Sequence, residues 1–254
     1  MTDEYLRRLF GLGGRLAMVT GASSGIGRAI AMALGRAGAE LILVARGEEA
    51  LARTVKELAD EGATATHLPV DLADRDAIAA LTSRVPHVDI LVNAAGVNIR
   101  PPLPELTVAD WDRTIAVNLT APYLLGQHFG PSMAARGFGR IITVTSQQSV
   151  RAYGNSGGYG ASKAGVAGLI RSQAEAWSRD GVCCNSISPG VVHTPMTEAI
   201  FADPERALAM AERTLVGRNG EPEDFAGAAV FLSSAAAAHI TGQALFVDGG
   251  FSVH

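Results

Sequence analysis

The feature that most constrains this chain is a short apolar run that ends in a glycine turn and resumes as a helix. Leu16-Ala17-Met18-Val19 reads as a strand, Thr20-Gly21-Ala22-Ser23-Ser24-Gly25-Ile26-Gly27 follows it, and a helix is expected from about 26 to 36, closed by Gly38. Glycines at such a turn let the backbone approach a pyrophosphate, and the helix N-terminus favours its negative charge. The spacing is G-x-x-x-G-x-G rather than G-x-G-x-x-G, and no G-K-[ST] follows, which excludes a P-loop.

The alternation continues along the chain. Further strands are expected at 41–44, 67–70, 88–92, 141–145, 182–187 and 244–247. Helices are expected at 48–60, 74–84, 107 to about 135 with a kink near Pro131, and 156–179, with helical stretches around Ala207 and Phe225. The apolar runs are continuous rather than alternating, the pattern of parallel strands covered on both faces. Strands and helices in this order specify βαβ units. With no repeat, low-complexity segment or linker, the expectation is a single α/β domain over 1–254. It is doubly wound and Rossmann-like, a seven-stranded parallel sheet with helices on both faces.

Composition narrows the classes of function. Hydrophobic residues make up 48%, enough for a large core, which excludes global disorder. Lys and Arg number 21 against 25 Asp and Glu, so there is no basic footprint for nucleic acid. Apolar stretches break within about ten residues, so no membrane-spanning helix is expected. The start, MTDEYLRRLF, carries early acids and no long apolar core, unlike a secretory signal. The two cysteines, Cys183 and Cys184, are adjacent; they staple nothing distant, do not have zinc-site spacing and read as reduced strand residues, with a cytoplasmic location as the default. No cluster suggests a metal.

Two further positions bear on chemistry. About twenty residues after the glycine turn, where an NAD-binding chain usually carries Asp or Glu for the ribose 2′-hydroxyl, stand Ala45 and Arg46. A guanidinium suits a 2′-phosphate, so NADP is favoured over NAD; the competing reading makes Arg46 a loop residue, free or paired with Glu48 or Glu49. Tyr159 and Lys163 lie four apart in Tyr159-Gly160-Ala161-Ser162-Lys163, on one face of a helix. An ammonium beside a phenol favours the phenolate and lowers the tyrosine pKa toward the catalytic range. Asp71, ending a strand, is either an acceptor for an adenine amino group or a cap for the next helix. Asn93-Ala94-Ala95-Gly96 offers small residues over which a cofactor passes.

Together these segments resemble the short-chain dehydrogenase/reductase family over nearly the whole chain. The resemblance rests on T-G-x-x-x-G-I-G at 20–27, N-A-A-G at 93–96 (commonly N-N-A-G), Asn118 in Val-Asn-Leu, Ser146, Y-x-x-x-K at 159–163 and Pro189-Gly190-Val191-Val192-His193-Thr194. It implies hydride exchange between a nicotinamide and a carbonyl or secondary alcohol. Tyr159 would pass the proton, Ser146 would hold the substrate oxygen, Lys163 would tune Tyr159 and hold the ribose, and Asn118 would hold a water. The cofactor would rest on Gly21, Ser23, Ser24, Gly25, Ile26, Gly27, Arg46, Asp71, Leu72, Asn93, Ala94, Ala95, Gly96, Tyr159, Lys163, Pro189, Gly190, Val192 and Thr194. Gln147, Gln148, Arg151 and Tyr153 are the substrate candidates, and about 195–218 suits an amphipathic lid. The chain looks similar to gluconate 5-dehydrogenases, partly through Asn98-Ile99-Arg100, and nearly as similar to 3-oxoacyl-carrier-protein reductases. A dinucleotide-binding sensor or scaffold without turnover is the alternative of another class. A homotetramer follows from the resemblance; the helix around Val166, Leu169 and Ile170 suits an interface or a core equally.

Overall fold

A computed structural model describes residues 3–253. In chain order the elements are α1 (Asp3–Phe10), β1 (Leu16–Thr20), α2 (Gly25–Arg36), β2 (Glu40–Ala45), α3 (Glu48–Asp60), β3 (Ala65–Pro69), α4 (Arg75–Arg84), β4 (Ile90–Asn93), α5 (Val108–Ile115), α6 (Ala121–Ala135), β5 (Gly139–Val144), α7 (Gly157–Trp177), β6 (Val182–Pro189), α8 (Glu198–Phe201), α9 (Pro204–Ala211), α10 (Ala226–Ser233) and β7 (Ala244–Val247). The strands form one parallel sheet in the order β3-β2-β1-β4-β5-β6-β7.

The continuous apolar runs have a direct cause. Side chains alternate across a strand. Ala17 and Val19 of β1, Ile90 and Val92 of β4, and Ile142 and Val144 of β5 face one core together with residues of α2 and α10. Met18, Leu91 and Ile141 face the other, with Leu125, Phe129 and Met133 of α6 and Ile170 of α7. Both faces being covered, the central strands read as near-continuous apolar runs. Val166 and Ile170 are buried within this chain, so the apolar stripe of α7 is core. Cys183 and Cys184 are buried free thiols on β6, and burial pushes the Cys184 pKa up to about 12.

Four segments differ from the expectation. The helix from 107 is broken by a π-helical turn at Ala116–Thr120, carrying Asn118, between α5 and α6; Pro131 lies inside α6. Thr107 caps α5, its hydroxyl accepting from the Asp110 N–H at 3.1 Å. Strand β6 runs on to Pro189, with all eight residues buried. The short α1 was not expected; it buries no residue, so it carries no core-facing stripe to read, and its acids lie in the first turn and its arginines in the last. Asp74 rather than Asp71 caps α4, accepting from Asp76 N–H at 2.8 Å and Ala77 N–H at 3.3 Å. Among the described residues no helix is long and apolar enough to cross a membrane.

Candidate active site

The sheet order places β2 and β3 on one side of β1 and β4 on the other, so the loops after β1 and β4 part at the C-terminal edge and leave a crevice. Two glycines allow its floor to close. Gly21 has φ +69°, and a Cβ there would stand 2.8 Å from the Ala95 nitrogen; a Cβ on Gly27 would stand 2.3 Å from the Gly21 carbonyl oxygen. Thr20 fastens the two strand ends: its hydroxyl oxygen accepts from Ala94 N–H at 3.1 Å and Ala95 N–H at 3.2 Å.

One cavity of about 590 Å³ runs along this edge. Its first end is bordered by the turn from Gly21 to Gly27 at the N-terminus of α2, by Arg46, and by Asp71 and Leu72. Its middle crosses Ala94, Ala95 and Gly96 and the segment Pro189, Gly190, Val192 and Thr194; its far end meets Ser146, Gln147, Gln148, Tyr153, Tyr159 and Lys163. A positive-φ turn beneath a helix N-terminus, with a floor that admits no side chain, fits the diphosphate of a dinucleotide. Arg46 is exposed at the rim and enters no ion pair among the described residues, Glu48 and Glu49 included. Asp71 accepts from Ala73 N–H at 3.0 Å and lies 3.4 Å from the Arg113 guanidinium. That backbone bond first, then the charges of Arg113 and Arg46, hold its carboxyl below the ordinary range.

Tyr159 and Lys163 project from the first turns of α7 and are buried. The expected pairing is altered. Burial raises the Tyr159 phenol above its ordinary value; the opposing influences are a hydrogen bond with Ser146 and the charge of Arg100, not Lys163. The Lys163 ammonium lies 5.6 Å from the Tyr159 ring centre and donates to the Val144 carbonyl at 2.7 Å. Burial lowers its pKa to about 8. Ser146 caps a short 3₁₀ turn, accepting from Gln148 N–H at 3.1 Å, which fixes its hydroxyl at the end of β5. The Asn118 amide is committed to Val97, accepting from its N–H and donating to its carbonyl at 2.9 Å each, and donates to Ser162 at 3.0 Å. It braces the loop after β4 and does not border the cavity.

Like Asn118, two further expected residues lie off the cavity. Asn93 is buried behind the wall, its amide donating to Thr143 at 3.3 Å across β4 and β5. Arg151 is exposed, does not border the cavity, and donates to the Phe251 carbonyl at 2.7 Å, holding the C-terminal segment. Tyr153 does border it, with its hydroxyl 2.9 Å from the Met210 sulfur at the end of α9. The sequence reading did not name Arg100 or Arg113 as site residues, yet both line the cavity. Arg100 is half-buried and donates to the Gly154 carbonyl at 2.6 Å and the Asn155 carbonyl at 3.4 Å. It has no carboxylate partner among the described residues. Its only sequence signal was the Asn98-Ile99-Arg100 run.

Known proteins match this arrangement. A family model described as enoyl-(acyl carrier protein) reductase matches residues 21–252. The chain is 40% identical to gluconate 5-dehydrogenase of Gluconobacter oxydans, over 96% of this chain and 97% of that one. It is 35% identical to 5-keto-D-gluconate 5-reductase of Escherichia coli K12, over 96% of this chain and 98% of that one. The crystal structure of a gluconate 5-dehydrogenase from Burkholderia cenocepacia, in complex with NADP and tartrate, superposes with a TM-score of 0.91 at 37% identity, covering 98% of this chain and 99% of that one.

The lysine makes stability depend on pH. Its pKa is 10.5 ordinarily and about 8 when folded, so between those values the unfolded chain binds more protons and stability rises with pH. In Lys163→Met that rise should be missing. Chemical denaturation of both cofactor-free proteins at a series of pH values across this window checks it; parallel profiles would show that the ammonium is not desolvated.

Proposed function

This chain belongs to the short-chain dehydrogenase/reductase family, and on that premise we propose an NADP(H)-dependent oxidoreductase that interconverts the ketone and secondary alcohol of a sugar acid. The observation that carries the reading is the buried Tyr159 phenol, lining with Ser146 and Lys163 the same cavity as the glycine turn. When bound, the nicotinamide supplies the hydride. Gly21 to Gly27 and the α2 N-terminus would hold the diphosphate, Arg46 the 2′-phosphate, and Lys163 the nicotinamide ribose.

Tyr159 supplies the proton. Because burial keeps the phenol protonated at neutral pH, it carries the proton that ketone reduction needs; alcohol oxidation needs the phenolate, which Ser146 and Arg100 favour. Ser146 steadies the substrate oxygen as charge develops on it. Arg100, a half-buried cation without a carboxylate, is placed for the carboxylate of the substrate, and bidentate guanidinium recognition would orient the ketone toward Tyr159. The tartrate bound to the Burkholderia protein supports a hydroxy acid as the substrate class. The segment 195–218, with α8 and α9, is the lid: Met196 and Ile200 border the cavity, and Tyr153 ties α9 to the substrate loop. The homotetramer is carried as part of this reading, with exposed Val108, Trp111 and Tyr123 as apolar surface on α5 and α6.

Oxidation of NADPH across a ketone panel tests the proposal: 5-keto-D-gluconate, a neutral keto sugar of similar length and a 3-oxoacyl thioester. The keto acid should lead the neutral ketone in kcat/KM by about tenfold or more, the worth of a charge-assisted bond, and Arg100→Met should erase the lead. A preference for the thioester would identify a 3-oxoacyl reductase, and no turnover would identify a sensor.

Arg46 sets cofactor choice. A bond to a charged group is worth about 1.5–3 kcal/mol, or roughly ten- to a hundredfold in affinity. NADPH should bind better than NADH by that factor, and Arg46→Ala should bring the two together at fixed salt. A wild type that binds NADH as tightly would overturn the assignment.

A further inference from the structure

Ser146 is followed by two glutamines whose side chains meet different fates. The Gln148 amide oxygen accepts from the Ser156 hydroxyl and so has a structural partner. Gln147 is 3% exposed, borders the cavity, and makes no side-chain hydrogen bond among the described residues; its Oε1 is fully buried. Of the residues bordering the cavity, only Gln147 and Asn98 hold a buried polar side-chain atom without a partner among the described residues. Buried amide oxygens are nearly always paired, because leaving one unpaired forfeits its hydration. Both orphans are acceptors, and both lie on loops that reach the reacting end: Asn98 two residues before Arg100, Gln147 next to Ser146.

Resting on the sugar-acid reading above, we infer that Gln147, assisted by Asn98, reads a hydroxyl group on the carbon beside the reacting one on the side of the carboxylate, so that the site selects keto acids hydroxylated at that carbon. A hydroxyl there donates to the orphaned amide oxygen. A methylene at that carbon, as in a 3-oxoacyl thioester or a 4-deoxy sugar acid, offers no donor and leaves that oxygen unpaired. Gln147 orients the substrate and takes no part in proton or hydride movement.

The test compares NADPH-dependent reduction of 5-keto-D-gluconate and its 4-deoxy counterpart by wild type, Gln147→Met and Asn98→Ala. Wild type should favour the hydroxylated ketone by about tenfold or more in kcat/KM. Gln147→Met, of similar length and without polar atoms, should bring the ratio to about one with NADPH affinity retained, and Asn98→Ala should lower it in part. Removing an orphaned polar group should also raise the melting temperature of Gln147→Met, by about 2–4 °C. Reduction of both ketones with the ratio unchanged in Gln147→Met overturns this inference and leaves the sugar-acid reading intact. A lower melting temperature with lost NADPH binding makes the amide structural and also overturns it. Reduction of neither ketone by wild type overturns the sugar-acid reading and the inference with it.

Discussion

The closeness with which β1 and β4 end governs everything at the C-terminal edge. The Thr20 hydroxyl takes two backbone N–H groups of the loop after β4, and Gly21 and Gly27 let turn, helix and loop meet at distances that exclude any side chain. The loops then part to either side, because the strand order reverses there. A crevice with a backbone floor and a helix N-terminus at one end is the outcome, and the remaining groups are brought to it by neighbouring strand ends: Arg46 after β2, Asp71 after β3, Ser146 after β5, and Pro189 with Gly190 at the end of β6.

Within that crevice charge is divided between interior and rim. Burial moves Tyr159 up and Lys163 down, and each shift favours the neutral form. The uncompensated cations, Arg46 and Arg100, stand nearer solvent at opposite ends, while Arg113 is matched by Asp71. Burial thus falls on the two groups that can shed their charge, and the permanently charged guanidiniums of Arg46 and Arg100 stay where water still reaches them. A phosphate at one end and a carboxylate at the other would neutralise the two rim cations, which links cofactor choice and substrate class through the same electrostatic plan.

The fold was legible because a parallel sheet covered on both faces imposes near-continuous apolar runs, as at Leu16–Val19 and Leu41–Val44, each bounded by turn glycines. The glycine turn and the Tyr159–Lys163 pair were legible as spacings, and Ser146 through the family resemblance. What escaped depended on packing. That the Lys163 ammonium donates to the Val144 carbonyl while standing 5.6 Å from the Tyr159 ring centre depends on tertiary packing, which helical spacing does not encode. Arg151 reads as a substrate ligand until Phe251, a hundred residues away, takes its guanidinium. Asn93 sits in a cofactor motif yet faces Thr143, because strand pleating turns it behind the wall. Arg100 is conspicuous only when the absence of any carboxylate around it among the described residues is seen in three dimensions.

Tyr159→Phe tests the central claim most directly, since it removes one oxygen and leaves the ring that packs in the core. NADPH should bind this variant as it binds wild type, while the single-turnover rate of hydride transfer to 5-keto-D-gluconate, followed by loss of nicotinamide absorbance, should fall by about 10²–10⁴-fold, the usual share of a general acid. A variant that binds NADPH normally and keeps more than about a tenth of the wild-type rate would contradict the account, because a loss that small falls short of a general acid's contribution and Tyr159 would not then be the proton donor.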